Sequence, residues 1–392
     1  MANTLKFGNG NWAIKEDSTL AYSDQYDNFK PLPFDFTRAS NATVVNKEGL
    51  IETVGNGIPR IDFLDSEDGA LLLEPQRTNL VTYSEDFSSS WASSGTNPPV
   101  LTPSQFISPD GTQNASRLQI PITNTTSILQ QLFSHTSGQE YTVSAYVKSN
   151  SSSNQEFKLY GDYGVPTGIS GVLIATSEWQ RFTFTYTATG TGSRSGGFYY
   201  VPNTNTDIQI YGFQAEQGSY ATSYIPTSGS AVTRVRDICE NNWNGLDVET
   251  ESFSFYIEFN INHLNSIIIS KKQNLGATDG WALQVNSSGI LKLYVFANGT
   301  EKTAQYSGFN LNVNHKVVGI IDRENDLLNL YVNGALKQST DISAITGTLL
   351  STYNLRIGTL GDGSIPTSIK NNSFNYYNNV LTDQEAIALT QV

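Results

Sequence analysis

The feature that most constrains this chain is a rhythm of two. Phe253, Phe255, Ile257, Phe259 and Ile261 alternate with Ser252, Ser254, Tyr256, Glu258 and Asn260. A strand sends successive side chains to opposite faces, so the pattern predicts a β-strand with one buried face. Burying that face contributes about 1.5–3 kcal/mol per large side chain. The rhythm recurs at Gln139–Lys148, where Tyr141, Val143, Ala145 and Val147 face one way and Thr142, Ser144, Tyr146 and Lys148 the other. It returns at Trp179–Thr187 and at Ile208–Gln214. Asn298-Gly299 and Asn333-Gly334 read as type I′ hairpin turns. Thr382-Asp-Gln-Glu385 is a capping box that opens one short helix, Asp383–Leu389. Short alternating strands with polar turns every ten or so residues predict antiparallel sandwiches or jelly rolls.

A chain of 392 residues exceeds one ordinary core. The stretch Ile210–Asp237 divides it. It begins as a strand, then loses its period around Gly218, Pro226 and Gly229, as a strap between two sandwiches would. The expected fold is all-β: an extended N-terminal segment (1–75), a first jelly roll (76–236) and a second (237–392). The leading segment has no closed core of its own. Its runs Leu5–Phe7, Trp12–Ile14 and Thr19–Tyr22 are short, and Phe29-Lys-Pro-Leu-Pro-Phe-Asp-Phe36 carries two prolines among four large apolar groups. Proline cannot donate to a sheet ladder, so this piece is expected to lie extended against another copy of the chain or another protein.

Charge and composition exclude several functions. A formal charge of −13 argues against a nucleic-acid binder. Cys239 is the single cysteine, so no internal disulfide exists, and a buried position is expected for it. No signal-peptide core and no apolar run of membrane-spanning length occurs, so the expected site of synthesis is a cytosol, with lysis as one route out. His135, His263 and His315 are scattered, which disfavours a histidine metal site or a Ser-His-Asp triad. No phosphate loop or dinucleotide fingerprint occurs, so neither cofactor, metal nor catalytic residue is assigned. Asp322-Arg-Glu-Asn-Asp326 reads as a turn rather than a calcium loop. A glycoside hydrolase would need two matched carboxyl groups; Glu216, Glu178, Asp162 and Asp207 are available, with Glu216 better read as a strand-end hydrogen-bond acceptor. What remains is binding. Sugars stack on aromatic faces and bond to Asn, Asp and Gln, and the candidate glycan residues are Tyr160, Asp162, Tyr163, Tyr200, Asn203 and Trp243.

Three groups of residues carry family likenesses. Asn79-Leu-Val-Thr-Tyr-Ser-Glu-Asp-Phe87 with Trp91, Ile107-Ser-Pro-Asp-Gly-Thr112 and Gln214–Arg234 resemble the carbohydrate-binding-type jelly roll of phage tail and fibre proteins. Leu5-Lys-Phe-Gly-Asn-Gly, Pro31–Arg38 and Gly49–Arg60 resemble virion fibre proteins of phages of Bacteroidetes hosts, including the crAss-like group, in which this region anchors the fibre. His315-Lys-Val-Val-Gly, Leu330-Tyr-Val-Asn-Gly334, Leu355-Arg-Ile-Gly358 and Tyr377–Glu385 resemble the concanavalin-like, laminin-G-type jelly roll. That family often carries Gly-x-Ile-Asp-Glu before its last strand. Here Ser368-Ile-Lys-Asn-Asn372 stands instead, without the acidic pair, so no calcium site is carried over. The likenesses imply a non-enzymatic phage virion protein, a head or tail fibre assembled in the host cytoplasm. They imply a homotrimer joined to capsid or tail proteins through residues 1–75, whose sandwiches reach bacterial surface glycans. The alternatives are a decoration protein without glycan binding and a glycan depolymerase.

Overall fold

The computed structural model describes residues 4–8, 13–14, 19–23, 29–241, 252–276, 278–349 and 351–392. Apart from one 3-10 turn and the helix Asp383–Thr390, the elements described are strands. The helix has its capping box: Glu385 N donates to the Thr382 hydroxyl at 3.3 Å, and Thr382 N to the Glu385 carboxylate at 2.8 Å. Asn298-Gly299 and Asn333-Gly334 both have positive φ at each residue, as type I′ turns require.

The first sandwich consists of two five-stranded antiparallel sheets. One has the order Ala92–Gly95, Ser127–His135, Gly192–Tyr199, Gln155–Tyr160 and Leu173–Ala175. The other has the order Val100–Phe106, Ala115–Ile120, Thr206–Gln217, Glu140–Ser149 and Gln180–Thr187. Val143, Ala145 and Val147 point inward against Phe157, Leu159 and Phe198. Trp91 packs edge-on to Phe213 at 5.1 Å and donates its indole N–H to the Tyr83 carbonyl at 2.7 Å.

The second sandwich is larger, an eight-stranded sheet over a nine-stranded one. All five apolar residues of the Phe253–Ile261 strand lie in its core, with Trp281 stacked on Phe255 at 5.1 Å. Cys239 is buried there too, and burial pushes its thiol pKa upward.

The leading 75 residues differ from expectation. Thr4–Gly8 pairs with Ile369–Tyr377, and Phe29–Thr37 pairs with Ile238–Asn241. Phe34 and Phe36 are fully buried in the second sandwich's core, Phe34 meeting the edge of Phe374 at 5.9 Å. Their partner is therefore in the same chain, not in another copy or another protein. The prolines precede the Phe34–Thr37 run that bonds to Ile238–Asn241, so they cost that ladder no donor. Arg60–Asp62 and Ala70–Leu73 extend the eight-stranded sheet beside Ile369–Tyr377. The chain thus starts the second sandwich, builds the first, and returns. Trp12 lies outside the described residues.

Where the chain leaves and re-enters, a buried ionic cluster forms. Arg38 pairs with Asp237 at 3.0 Å. Arg60 pairs with Glu74 at 2.8 Å and also with Asp237. Arg234 pairs with Glu74 at 3.0 Å. Ser223, from the strap of the first sandwich, donates its N–H and hydroxyl to Glu74 at 2.7 and 2.6 Å. Burial alone would raise the Glu74 pKa, but Arg234, Arg60 and Ser223 together hold it far below the usual carboxylate range. A second junction contact stacks Tyr220 on His263 at 4.2 Å, with the Arg77 guanidinium 5.1 Å from the Tyr220 ring. Burial, then Arg77, lowers the His263 pKa to about 4.

Glu74 sets a pH dependence with a definite sign. Its folded pKa lies below the ordinary 4.5, so its contribution is complete above that value and is lost as pH falls toward the folded pKa. Glu74→Gln is expected to cost about 3–5 kcal/mol at neutral pH, because it leaves arginines buried without their partner. Urea unfolding between neutral and acid pH checks both points: the variant should show a shallower fall below pH 4.5 than the natural chain. Equal slopes would contradict the assignment.

Candidate glycan-binding cleft

The residues singled out from the sequence are distributed unevenly. Tyr160 is fully buried under Tyr163 and Tyr199, whose ring centroids lie 6.2 and 5.6 Å away. Burial pushes its phenol pKa upward. Asp162 is also fully buried; it pairs with Arg194 and accepts from the Thr189 N–H and hydroxyl, each at 3.2 Å. Both hold the protein together and neither is free for a ligand. Tyr163 is 40% exposed. Tyr200 stacks on Tyr199 at 4.9 Å and packs partly against the core. Asn203 is exposed in a turn with φ of 58°, its N–H bonded to the Thr123 carbonyl at 3.1 Å. The same loop's Thr126 hydroxyl lies 3.5 Å from that of Tyr163. Of the candidates, Tyr163 and Asn203 thus remain accessible, and Tyr200 partly so. Trp243 lies outside the described residues.

Glu216 is buried and accepts from Thr222 N at 3.1 Å; burial raises its pKa. Asp322 accepts from Glu324 N and Asn325 N, both at 3.1 Å, closing its own turn. His315 stacks on Phe309 at 4.2 Å and is part of the second sandwich's packing.

The larger concavity lies between the sandwiches, a cleft of about 830 Å³. The period-two rhythm builds both walls. Val143, Ala145 and Val147 point into the first core, so Ser144 and Tyr146 must point out. Arg181 sits directly across from Tyr146 on the neighbouring strand, its guanidinium 5.5 Å from the ring centroid. It donates to the Thr222 carbonyl at 2.7 Å and to the Ser144 hydroxyl at 3.0 Å. Trp179, two residues earlier, packs in the small cluster with Ile51 and Tyr146 and lines the cleft. On the facing wall Ile261 and Ile369 point into the second core, so Asn260 and Lys370 point out, paired across adjacent strands. Lys370 bridges Asp62, at 2.7 Å, and Asp65. Asn262, Asn312 and Asn314 complete that wall, and the hairpin of Ala42–Val45 and Ile51–Val54 forms the floor.

The hairpin is held from both sides. Ile51 N donates to Pro109 O at 2.9 Å and the Thr43 hydroxyl to Tyr224 O, while Val45 N donates to Asp62 at 3.2 Å. An indole, a phenol and four asparagine amides therefore converge on one space drawn from both sandwiches. Sequence reasoning passed over these residues. Trp179 and Tyr146 were read only as strand positions, and nothing in one-dimensional spacing brings Asn260 beside Asn312.

Comparison with known proteins bears on the fold. The laminin G family described as the concanavalin A-like lectin/glucanases superfamily matches residues 240–386, and this region is a concanavalin-like jelly roll. The carbohydrate-binding module CBM40 of a Ruminococcus gnavus IT-sialidase, bound to α2,3-sialyllactose, is 22% identical over 36% of this chain and 83% of its own, with a TM-score of 0.30. The receptor-binding domain of botulinum neurotoxin mosaic serotype C/D is 20% identical over 39% of each chain, with a TM-score of 0.33. A leech intramolecular trans-sialidase is 21% identical over 36% of this chain and 23% of its own, with a TM-score of 0.30. No curated protein matches the chain.

Burial separates the structural candidates from the accessible ones. Asp162→Ala is expected to cost about 1.5–3 kcal/mol by leaving Thr189 N and the half-buried Arg194 without their acceptor. Tyr163→Ala is expected to stay within about 0.5 kcal/mol of the natural chain. Denaturant midpoints decide, and the reverse order would contradict the placement.

Proposed function

We propose that this chain is a non-catalytic phage virion protein, a head or tail fibre, that binds saccharide in the cleft between its two sandwiches. The observation that carries the binding half is the convergence of Trp179, Tyr146 and the asparagine amides on one concavity. An aromatic face suits the apolar side of a pyranose, and an amide, with one donor and one acceptor, suits adjacent hydroxyls. Binding rather than cleavage is favoured by the state of the carboxylates. Glycoside hydrolysis needs one carboxyl to donate a proton. Asp62 and Asp65 both engage the Lys370 ammonium, and Glu74 is enclosed by two arginines and Ser223.

The virion half rests on the likeness of Leu5–Gly10, Pro31–Arg38, Gly49–Arg60 and Asn79–Phe87 to phage fibre proteins. The homotrimer and the attachment through residues 1–75 rest on that likeness alone, since Phe34 and Phe36 are partnered within the chain. In an array of copies, weak sites gain strength through effective concentration.

Glycan-array screening of the purified chain tests the binding half. Retention is expected, together with a loss of about tenfold or more in affinity for Trp179→Ala, in a chain that still folds but melts somewhat lower because Trp179 packs beside Ile51 and Tyr146. A chain that retains no glycan, or whose binding ignores Trp179, is not a cleft binder. Antibody labelling of particles tests the other half, and unlabelled particles would refute it.

A further inference from the structure

We infer, resting on the glycan-binding reading above, that the cleft is built for a neutral saccharide and disfavours acidic ones such as sialylated or uronic glycans. The polar groups of the cleft that are already engaged set this preference. Recognition of a carboxylate or phosphate normally uses an arginine fork or an unpaired ammonium. Neither is available among the described residues of the cleft. The Lys370 ammonium lies between Asp62 and Asp65, so two carboxylates face one cation and the trio carries a net negative charge. Arg181 is committed on both terminal nitrogens, to Thr222 O and the Ser144 hydroxyl, and its plane lies over Tyr146. Its Nε has no hydrogen-bond partner but is buried out of a ligand's reach, which removes the second prong of a bidentate contact. The remaining charge, Glu74, is negative and enclosed.

The neutral groups are in the opposite condition. The side-chain amides of Asn260, Asn312 and Asn314 have no hydrogen-bond partner among the described residues, although each lines the cleft. They come from two segments, the end of the Phe253–Ile261 strand and the loop before His315–Asp322. Backbone bonding fixes the two segments together: Asn312 N donates to Ile261 O at 2.9 Å. Uncharged donors and acceptors are thus unspent, whereas the charged ones are spent or, at Arg181 Nε, buried out of reach.

Local charge decides the preference more than the overall −13 does. At physiological ionic strength the Debye length is about 8 Å, so an anion inside the cleft feels the Asp62–Lys370–Asp65 trio while most of the remaining surface is screened. A neutral ring meets no such penalty, and its binding should be indifferent to salt.

The test uses the full chain, titrated with chitotriose, cellotriose and lactose on one side and sialyllactose and oligogalacturonate on the other. Neutral binding is expected, lost in Trp179→Ala and unaffected by added sodium chloride. Acidic ligands should bind measurably only to Asp65→Asn, which leaves one carboxylate against one ammonium at an exposed position. Acidic ligands binding the natural chain more tightly, in a Trp179-dependent and salt-sensitive way, would overturn the charge preference and leave the cleft as a glycan site. Retention of neither class by the natural chain would overturn the glycan-binding reading and this inference with it.

Discussion

The structure depends on a handful of charges placed where water cannot reach. Arg38, Arg60 and Arg234 meet Glu74 and Asp237 in the junction between the sandwiches, all essentially without exposure. Removing such ions from water costs several kcal/mol each, offset here by the opposed charges, although Arg60 Nε, Arg234 Nε and Arg234 Nη1 are buried without a hydrogen-bond partner. Carbonyls of Ser40, Gly55, Thr43 and Pro75 take up arginine donors that the two acids cannot. The members come from the leading segment and from the strap that leaves the first sandwich, Ser223 among them. Separating the two sandwiches would leave ions half-solvated in an apolar recess. The junction is therefore specified by chemistry that only the joined form satisfies, and the cleft beside it inherits that rigidity through Ser223, Tyr224 and the Thr43 hairpin.

How much of this could be read from the residues follows from which interactions are local. The β-rhythm is local, and the alternation at Phe253–Ile261 and Gln139–Lys148 marks inward and outward faces that the structure retains. Turn and cap signals at Asn333-Gly334 and Thr382–Glu385 are equally local and hold. The fate of Phe34 and Phe36 is not local. The need for a partner was visible, but its identity, a strand about two hundred residues away, was not. Arg38, Arg60 and Arg234 each end one of the stretches that carry a family likeness, yet nothing in one dimension says that they converge.

Sequence alone points to aromatics and amides in loops as candidate ligand contacts, and the structure distributes those residues otherwise. Tyr160 ends the Gln155–Tyr160 strand and Asp162 follows it, and they are consumed by packing and by Arg194. The cleft draws on the outward sides of strands, at Tyr146, Arg181, Asn260 and Lys370, and on connecting loops, at Trp179, Asn312 and Asn314, residues whose polar or aromatic character reads as solvent exposure. Tyr146 and Arg181, or Asn260 and Lys370, become a site only because two outer faces meet. Lys370 falls within Ser368–Asn372, a stretch without the acidic pair. A cation there finds its two carboxylates on Asp62 and Asp65, supplied by the leading segment rather than by the jelly roll itself.

The central claim is that the buried junction makes the two sandwiches one cooperative body. Differential scanning calorimetry of the intact chain at neutral pH addresses it most directly. A single transition whose calorimetric and van't Hoff enthalpies agree is the result this account requires. Two separated transitions, one for each sandwich, would mean that the ionic cluster joins nothing and that the cleft is not held by the fold.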